Sequence, residues 1–207
     1  ELLQGADKDK DQSYFLAELT QKDLIHILFP VGKLTKKEVR AIAEKNKLSN
    51  YNRPSTKGIC FVGNIPLKSF LENRIKSKEG RVWDENNKLI GRHRGAHLYT
   101  IGERIGESKG IFVSKGQNSQ RRMFVAKKNI RKNVIIAVKK DHPMLKKRTL
   151  YLKKVHWINK DDKKSNFEAK VRIRHLGKLT QATLKLKKNR GYLFAKYPII
   201  GAAPGQT

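Results

Sequence analysis

The chain has 207 residues, of which 47 are Lys or Arg and 18 are Asp or Glu, a formal charge of +29 with His neutral. With 38% hydrophobic residues it can bury a core, and no run approaches the ~18 consecutive apolar residues of a membrane span. No charged-then-apolar leader opens it and only one cysteine, Cys60, is present, which argues against secretion, a disulfide framework or a multi-thiolate zinc site.

Residues 1–66 hold 11 basic and 8 acidic side chains, and the remainder holds 36 and 10. The excess is therefore +3 and +26, far more than steering a small anion needs. A protein lying along a phosphate backbone gains affinity from every counterion it releases, so RNA or DNA is the expected partner. A Lys-rich solvated surface is the competing reading of the same charge.

Two early helices carry start signals. Thr20 with Asp23, and Thr35 with Glu38, have capping-box spacing, with Leu19/Leu24 and Leu34/Val39 at staple positions. Leu24, Ile27 and Leu28 follow on one helical face, and Val39, Ile42 and Ala43 on another. The run Phe29-Pro30-Val31-Gly32 separates the two, and a third helix is expected from Leu67 to Ile75.

Past Gly80 the pattern shifts to short β-branched and aromatic runs at 81–83, 88–90, 123–126, 134–138, 150–157, 167–174, 182–186 and 192–195. Turn residues between them predict small antiparallel sheets or barrels, with a boundary near His142-Pro143.

Cys60 lies in Gly58-Ile59-Cys60-Phe61-Val62-Gly63, where flanking glycines permit a movable loop around a thiol nucleophile. A buried structural cysteine fits the same run. His93 and His97 have i, i+4 metal spacing, but Gly95 weakens the helix and no third ligand is near. The segment Tyr99 to Gly106 is neither a Walker loop nor a dinucleotide fingerprint. Lys10-Asp11-Gln12-Ser13-Tyr14 combines groups able to hold phosphate and read a base edge, or forms an ordinary helix entry. Arg172, Arg174 and His175 present either a cationic sheet face or a solvated one.

Seven segments, in order, resemble the tRNA-specific 2-thiouridylase family. They are Lys10 to Leu16, Leu28 to Gly32, Gly58 to Gly63, Tyr99 to Gly102, Asp141-His142-Pro143, Val155-His156-Trp157 and Pro204-Gly205-Gln206. The resemblance implies an α+β chain: 1–63 as the helical remainder of an α/β ATP-pyrophosphatase domain, 64–140 as a small mixed central domain, and 141–207 as a truncated antiparallel β-barrel. It implies ATP-dependent 2-thiolation of the wobble uridine of tRNA, with ATP and Mg2+ bound upstream of Glu1 together with a first catalytic cysteine. Cys60 would carry the sulfur as a persulfide, supplied by a relay protein or cysteine desulfurase, and the resolving disulfide would need a reductant. Lys10, Asp11, Gln12, Arg174, His175 and Gln206 would contact tRNA, with no metal bound by this chain and a bacterial cytoplasmic or organellar setting.

Two departures stand out: Ser55-Thr56-Lys57 replaces the family's Asp-Ser-Thr, and Glu103 replaces a glutamine. A free-standing basic RNA-binding module with a structural Cys60, and a degenerate enzyme, are the competing expectations. The sequence upstream of Glu1 and an activity assay separate them.

Overall fold

The computed structural model describes residues 2–54, 67–113, 122–174 and 177–205. The described residues fall into two compact units, one within 1–55 and 148–197, the other within 56–147 and 198–205.

In the first unit both capping boxes form. Thr20 leads α1 (Gln21–Leu24), with Asp23 Oδ2 accepting from Thr20 N at 2.7 Å. Thr35 leads α2 (Lys36–Lys45), with Glu38 Oε2 accepting from Thr35 N at 2.6 Å. Helix α1 is shorter than its apolar spacing predicts. After Leu24 the chain continues in a turn, with Ile27 N donating to Leu24 O at 3.3 Å. Leu28 is consequently 89% exposed, and neither helix contributes a buried residue.

The second sheet of the chain begins after a short 3-10 turn at Pro143–Leu145. It comprises β6 (Lys146–Leu152), β7 (Asn166–Val171), β8 (Thr180–Lys187) and β9 (Arg190–Ile200), in the order β6-β9-β8-β7. Strands β7, β8 and β9 are antiparallel, and Leu184, Leu186, Leu193 and Ala195 form the buried side. The sequence places β6 at 150–157, four residues too late. Lys154 takes a left-handed φ of 54° and ends the extended run, while the strand begins in the charged stretch Lys146-Lys147-Arg148. Lysines on an edge strand discourage pairing with other chains, which explains why this strand lacks an alternating apolar signature.

In the second unit α3 (Leu67–Glu72) lies where the spacing predicts, and Ile75 N still donates to Leu71 O at 2.8 Å. The sheet that follows has five strands: β1 (Gly80–Trp83), β2 (Leu89–His93), β3 (Ile111–Val113), β4 (Met123–Asn129) and β5 (Val134–Lys139). Their order is β3-β2-β1-β5-β4. Strand β3, three residues long, leaves no period to read in the sequence.

This sheet is mixed, in keeping with a mixed central domain: β1 and β5 run parallel, which the antiparallel reading of the strand pattern alone does not anticipate. Asn133 supplies the reason. At φ 52° it heads β5 and donates through Nδ2 to Lys78 O and Glu79 O at 2.9 and 3.0 Å, while its Oδ1 accepts from Ala96 N at 2.9 Å. One amide thus ties the start of β5 to the start of β1, so both strands leave in the same direction. Val82, Ile111, Val125, Ile135 and Tyr99 pack at the centre of this unit.

Gly91 on β2 has no room for a side chain, because an added Cβ would run into the carbonyl oxygen of Phe112 on β3. That neighbour is backbone in a paired strand and cannot swing away. Gly91→Ala should therefore cost about 2–3 kcal/mol, as overpacked cores do, read as a lower denaturant midpoint with unchanged slope.

The architecture is α+β: short helices, a mixed five-stranded sheet and a four-stranded sheet. Among the described residues no helix is long and apolar enough to cross a membrane.

Candidate functional site

The segment before α1 is organised around Asp11. A charged side chain only 7% exposed needs internal donors, and Asp11 has them. Its Oδ1 accepts from Gly5 N at 3.1 Å and Ser13 N at 3.2 Å, and its Oδ2 from Ser13 Oγ at 3.0 Å. The Arg172 guanidinium, just past β7, lies 3.7 Å from Oδ2. The Gln4 amide, oriented to satisfy both its ends, accepts from the same guanidinium at 2.9 and 3.2 Å. Desolvation pushes the Asp11 pKa up, but the Gly5 and Ser13 donors and Arg172 outweigh it, and the net shift is downward.

Asp11 therefore works as an anchor, and its neighbours Lys10 and Gln12 are exposed on either side of it. Gln12 stands at the head of the 3-10 turn Ser13–Leu16, and Phe15 N donates to its carbonyl at 3.0 Å. Lys10 and Gln12 border a groove of ≈740 Å3 whose other walls include Leu3, Phe15, Phe29 and Val31. A cation and an amide held at the rim of an apolar groove suit a ligand with both a charged backbone and flat apolar rings.

A second sequence motif meets this region. The His156 ring nitrogen Nε2 lies 2.9 Å from Leu19 O, and Gln21 N donates to Ile158 O at 2.9 Å, so residues 155–158 hold the entry of α1. Trp157 packs its ring on Phe167 with centroids 5.5 Å apart.

Arg172, read in the sequence as a possible cation on a sheet face, instead turns inward to Asp11 and Gln4. Arg174 is half-buried two positions further on, before a turn closed by Gly177 N to Arg174 O at 2.8 Å. The Asp11–Arg172–Gln4 arrangement is absent from the sequence reading. Asp11-Gln12-Ser13 carries a local Asx-turn signal, but nothing in a single sequence names a partner so distant in the chain. Cys60, His175 and Gln206 lie outside the described residues, as do Ser55, Thr56 and Lys57.

In the other unit the Tyr99 to Gly106 segment resolves into a structural turn. Tyr99 is 1% exposed and donates its hydroxyl to Gly110 O at 2.8 Å, while Lys128 Nζ donates to Tyr99 O at 2.6 Å. Glu103 Oε2 accepts from Thr100 N at 3.0 Å, and Gly102 N donates to Val125 O at 2.7 Å. The Glu103 carboxylate oxygen closes the turn as a glutamine oxygen also could, and nothing in the structure explains the exchange. His93 is a core residue, 1% exposed, whose Nδ1 accepts from Gly95 N at 3.0 Å. Burial lowers its pKa against the pull of the Asn133 and Arg81 backbone. His97 instead lies 3.2 Å from Ser77 Oγ, so the two histidines are spent on separate contacts. His142 caps the Pro143–Leu145 turn by accepting from Met144 N at 3.2 Å.

Three family models match in succession along this fold. The first, described as a tRNA methyl transferase HUP domain, covers residues 1–64. The second, a tRNA methyl transferase PRC-barrel domain, covers 68–139, and the third, an aminomethyltransferase beta-barrel domain, covers 147–207. This succession defines the class: a chain that matches, in order, the HUP, PRC-barrel and beta-barrel domain models. The tRNA-specific 2-thiouridylase MnmA of Chlamydia abortus is 36% identical over 217 residues, spanning 100% of this chain and 56% of the relative. That of Geobacillus kaustophilus, MnmA 1, is 34% identical over 209 residues, with 100% and 55% covered. That of Nitrosomonas europaea is 38% identical over 177 residues, with 84% and 48% covered. The chain belongs to the tRNA-specific 2-thiouridylase family, and it spans about half the length of the curated relatives it matches.

Proposed function

We propose that this chain is the C-terminal part of a tRNA 2-thiouridylase that replaces the C2 oxygen of a wobble uridine by sulfur, with ATP consumed by the complete protein. The observation that carries the proposal is similarity to relatives of that name along the entire chain, joined to a +26 excess after residue 66. In this reading 1–63 closes the nucleotide-hydrolysing domain, 64–140 is the central domain and 141–207 the barrel.

The described residues do not fit ATP. In the glycine-bearing turn from Tyr99 to Gly106, the Gly102 and Thr100 N–H groups are committed to Val125 O and to the Glu103 carboxylate, which leaves neither for a phosphate. Activation of the uridine oxygen is therefore assigned to the part of the relatives' length that this chain does not span. Here Cys60 carries sulfane sulfur as a persulfide whose outer sulfur bonds to the uridine carbon as the activated oxygen departs. A second cysteine outside this chain attacks the Cys60 sulfur, breaking the persulfide S–S bond and forming a disulfide that a thiol reductant reopens. The sulfur comes from a desulfurase or relay protein. Lys10 and Gln12, oriented by Asp11, contact the tRNA together with Arg174, His175 and Gln206. The complete protein works in a cytoplasm or organelle.

The test is direct. The complete protein with tRNA, ATP, a persulfide donor and reductant should yield 2-thiouridine on nucleoside mass spectrometry, and absence of that product overturns the proposal. Its tRNA affinity should also fall steeply with salt. A protein neutralising six to ten phosphates loses roughly 10^3–10^5 in affinity between 50 and 200 mM salt. A flat salt response would remove the charge argument.

A further inference from the structure

The outward face of the β6-β9-β8-β7 sheet carries large rings where a solvated strand would carry polar side chains. Along β9, Gly191, Leu193 and Ala195 are buried while Tyr192 and Phe194 are 50% and 40% exposed. Tyr151 on neighbouring β6 is 47% exposed. The three rings form one run across the two strands, with centroids 5.2 Å apart from Tyr151 to Tyr192 and 6.2 Å from Tyr192 to Phe194. Three adjacent exposed rings on a sheet leave apolar surface in water that a monomer normally covers or uses.

Cations surround the run. Lys153 Nζ lies 5.8 Å from the Tyr151 centroid and Lys185 Nζ 5.7 Å from the Phe194 centroid. Strand pairing sets Lys185 opposite Tyr192 and Lys187 opposite Arg190 on the same face. Beside Phe194 the face opens into a groove of ≈650 Å3 lined by Glu168, Lys170, Gln181, Thr183, Phe194 and Lys196. The spacing of flat apolar rings among mobile ammonium groups matches one ligand chemistry: stacked bases on an anionic backbone.

We propose that Tyr151, Tyr192 and Phe194 form a stacking platform for unpaired nucleotides of RNA, with Lys153, Lys185 and Lys196 taking the adjoining phosphates. In the free protein the Lys153 and Lys185 ammonium groups lie over the Tyr151 and Phe194 rings, while Lys196 Nζ donates to Gln181 Oε1 at 3.2 Å; such contacts are weak enough at an exposed site to yield when a nucleotide arrives. The platform deepens the tRNA reading and rests on it for the choice of RNA; the stacking itself depends only on this sheet. It is separate from the Lys10 and Gln12 rim and uses no residue assigned there.

The experiment measures binding of the full chain to an oligouridylate of about 12 nucleotides, within the span of known sheet platforms, and to inorganic polyphosphate, which has charge but no bases. Tyr192→Thr/Phe194→Thr should weaken oligouridylate binding roughly 10–100-fold, since each stacked base is worth about tenfold or more, and leave polyphosphate binding within twofold. Lys185→Ala/Lys196→Ala should weaken both ligands. Equal loss of both ligands in the ring variant, or no loss of either, overturns the platform. So does a ring variant that changes only self-association, which would make the face a contact between copies. Photocrosslinking of a 4-thiouridine oligonucleotide to the unaltered chain guards against misfolded variants. Adducts on the 190–197 peptide support the platform, and adducts solely elsewhere overturn it. Failure of thiolation by the complete protein would defeat the sulfurtransferase reading while leaving these measurements intact.

Discussion

Asp11→Ala should destabilise the unit that holds it by about 2–3 kcal/mol, the range for hydrogen bonds to a charged group that are lost with their partners left behind. The substitution orphans the Gly5 and Ser13 N–H groups and leaves the Arg172 guanidinium facing no carboxylate. Removing one member of a buried pair usually costs more, 3–5 kcal/mol. Here the 3.7 Å separation and the partly exposed Arg172 side chain argue for the lower figure. Asp11→Asn, which keeps an acceptor for Gly5 and Ser13, should cost less than half as much. The double substitution Asp11→Ala/Arg172→Met should be more stable than the two single losses added together, because the guanidinium no longer sits without its carboxylate. Additive losses would mean that the two side chains do not interact. The same variants should weaken tRNA binding through displacement of Lys10 and Gln12, with Asp11→Asn the mildest.

The sign of the pH dependence follows from the same contacts. The Asp11 pKa lies below its ordinary 3.8, so its contribution is fully present above that value and is lost as pH falls through the depressed one. Asp23 and Glu38, the two capping-box acids, are also lowered by their threonine partners and lose their contributions in the same direction. His93 adds an earlier loss. Its lowered pKa means the unfolded chain takes up the proton first, so stability declines as pH drops below 6.5. Stability measured by denaturant should therefore be level near neutrality, sag below pH 6.5 and fall further below pH 4, with Asp11→Asn flattening part of the second fall.

Local signals in the sequence carried the local structure. Thr20/Asp23 and Thr35/Glu38 are capping boxes in both, because every atom of that motif lies within four residues. All eight strand runs overlap strands, and the alternation is clearest in β8 and β9, where every second residue is buried along most of the strand. What escaped depends on distant partners. The parallel pairing of β1 with β5 turns on Asn133 reaching Lys78 and Glu79, and the inward turn of Arg172 on the buried Asp11. Helix α1 is shorter than its apolar spacing implies for a related reason. Apolar spacing at Leu24, Ile27 and Leu28 implies a face, but Leu28 is 89% exposed, so burial does not reward carrying the helix that far. The exposed rings of β9 were legible as a strand and silent as a surface, since an alternating strand does not say which of its faces meets solvent.

Replacing Cys60 by Ser in the complete protein should reduce 2-thiouridine formation by more than 10^3-fold, to the background of the assay, while changing tRNA affinity less than twofold. The asymmetry comes from chemistry. A thiolate forms an S–S bond with a donor's sulfane sulfur, and a serine hydroxyl, unionised near neutrality and unable to hold a persulfide, offers no slower version of that step. Affinity, in contrast, is spread over many phosphate contacts drawn from 47 basic residues, none of which the substitution touches. A persulfide mark on Cys60, detected as a mass increase removed by reductant, should vanish in the serine variant and persist in Asp11→Asn. Thiolation that survives the loss of the chain's only thiol would show that the sulfur travels another route, and Cys60 would then be a packing residue.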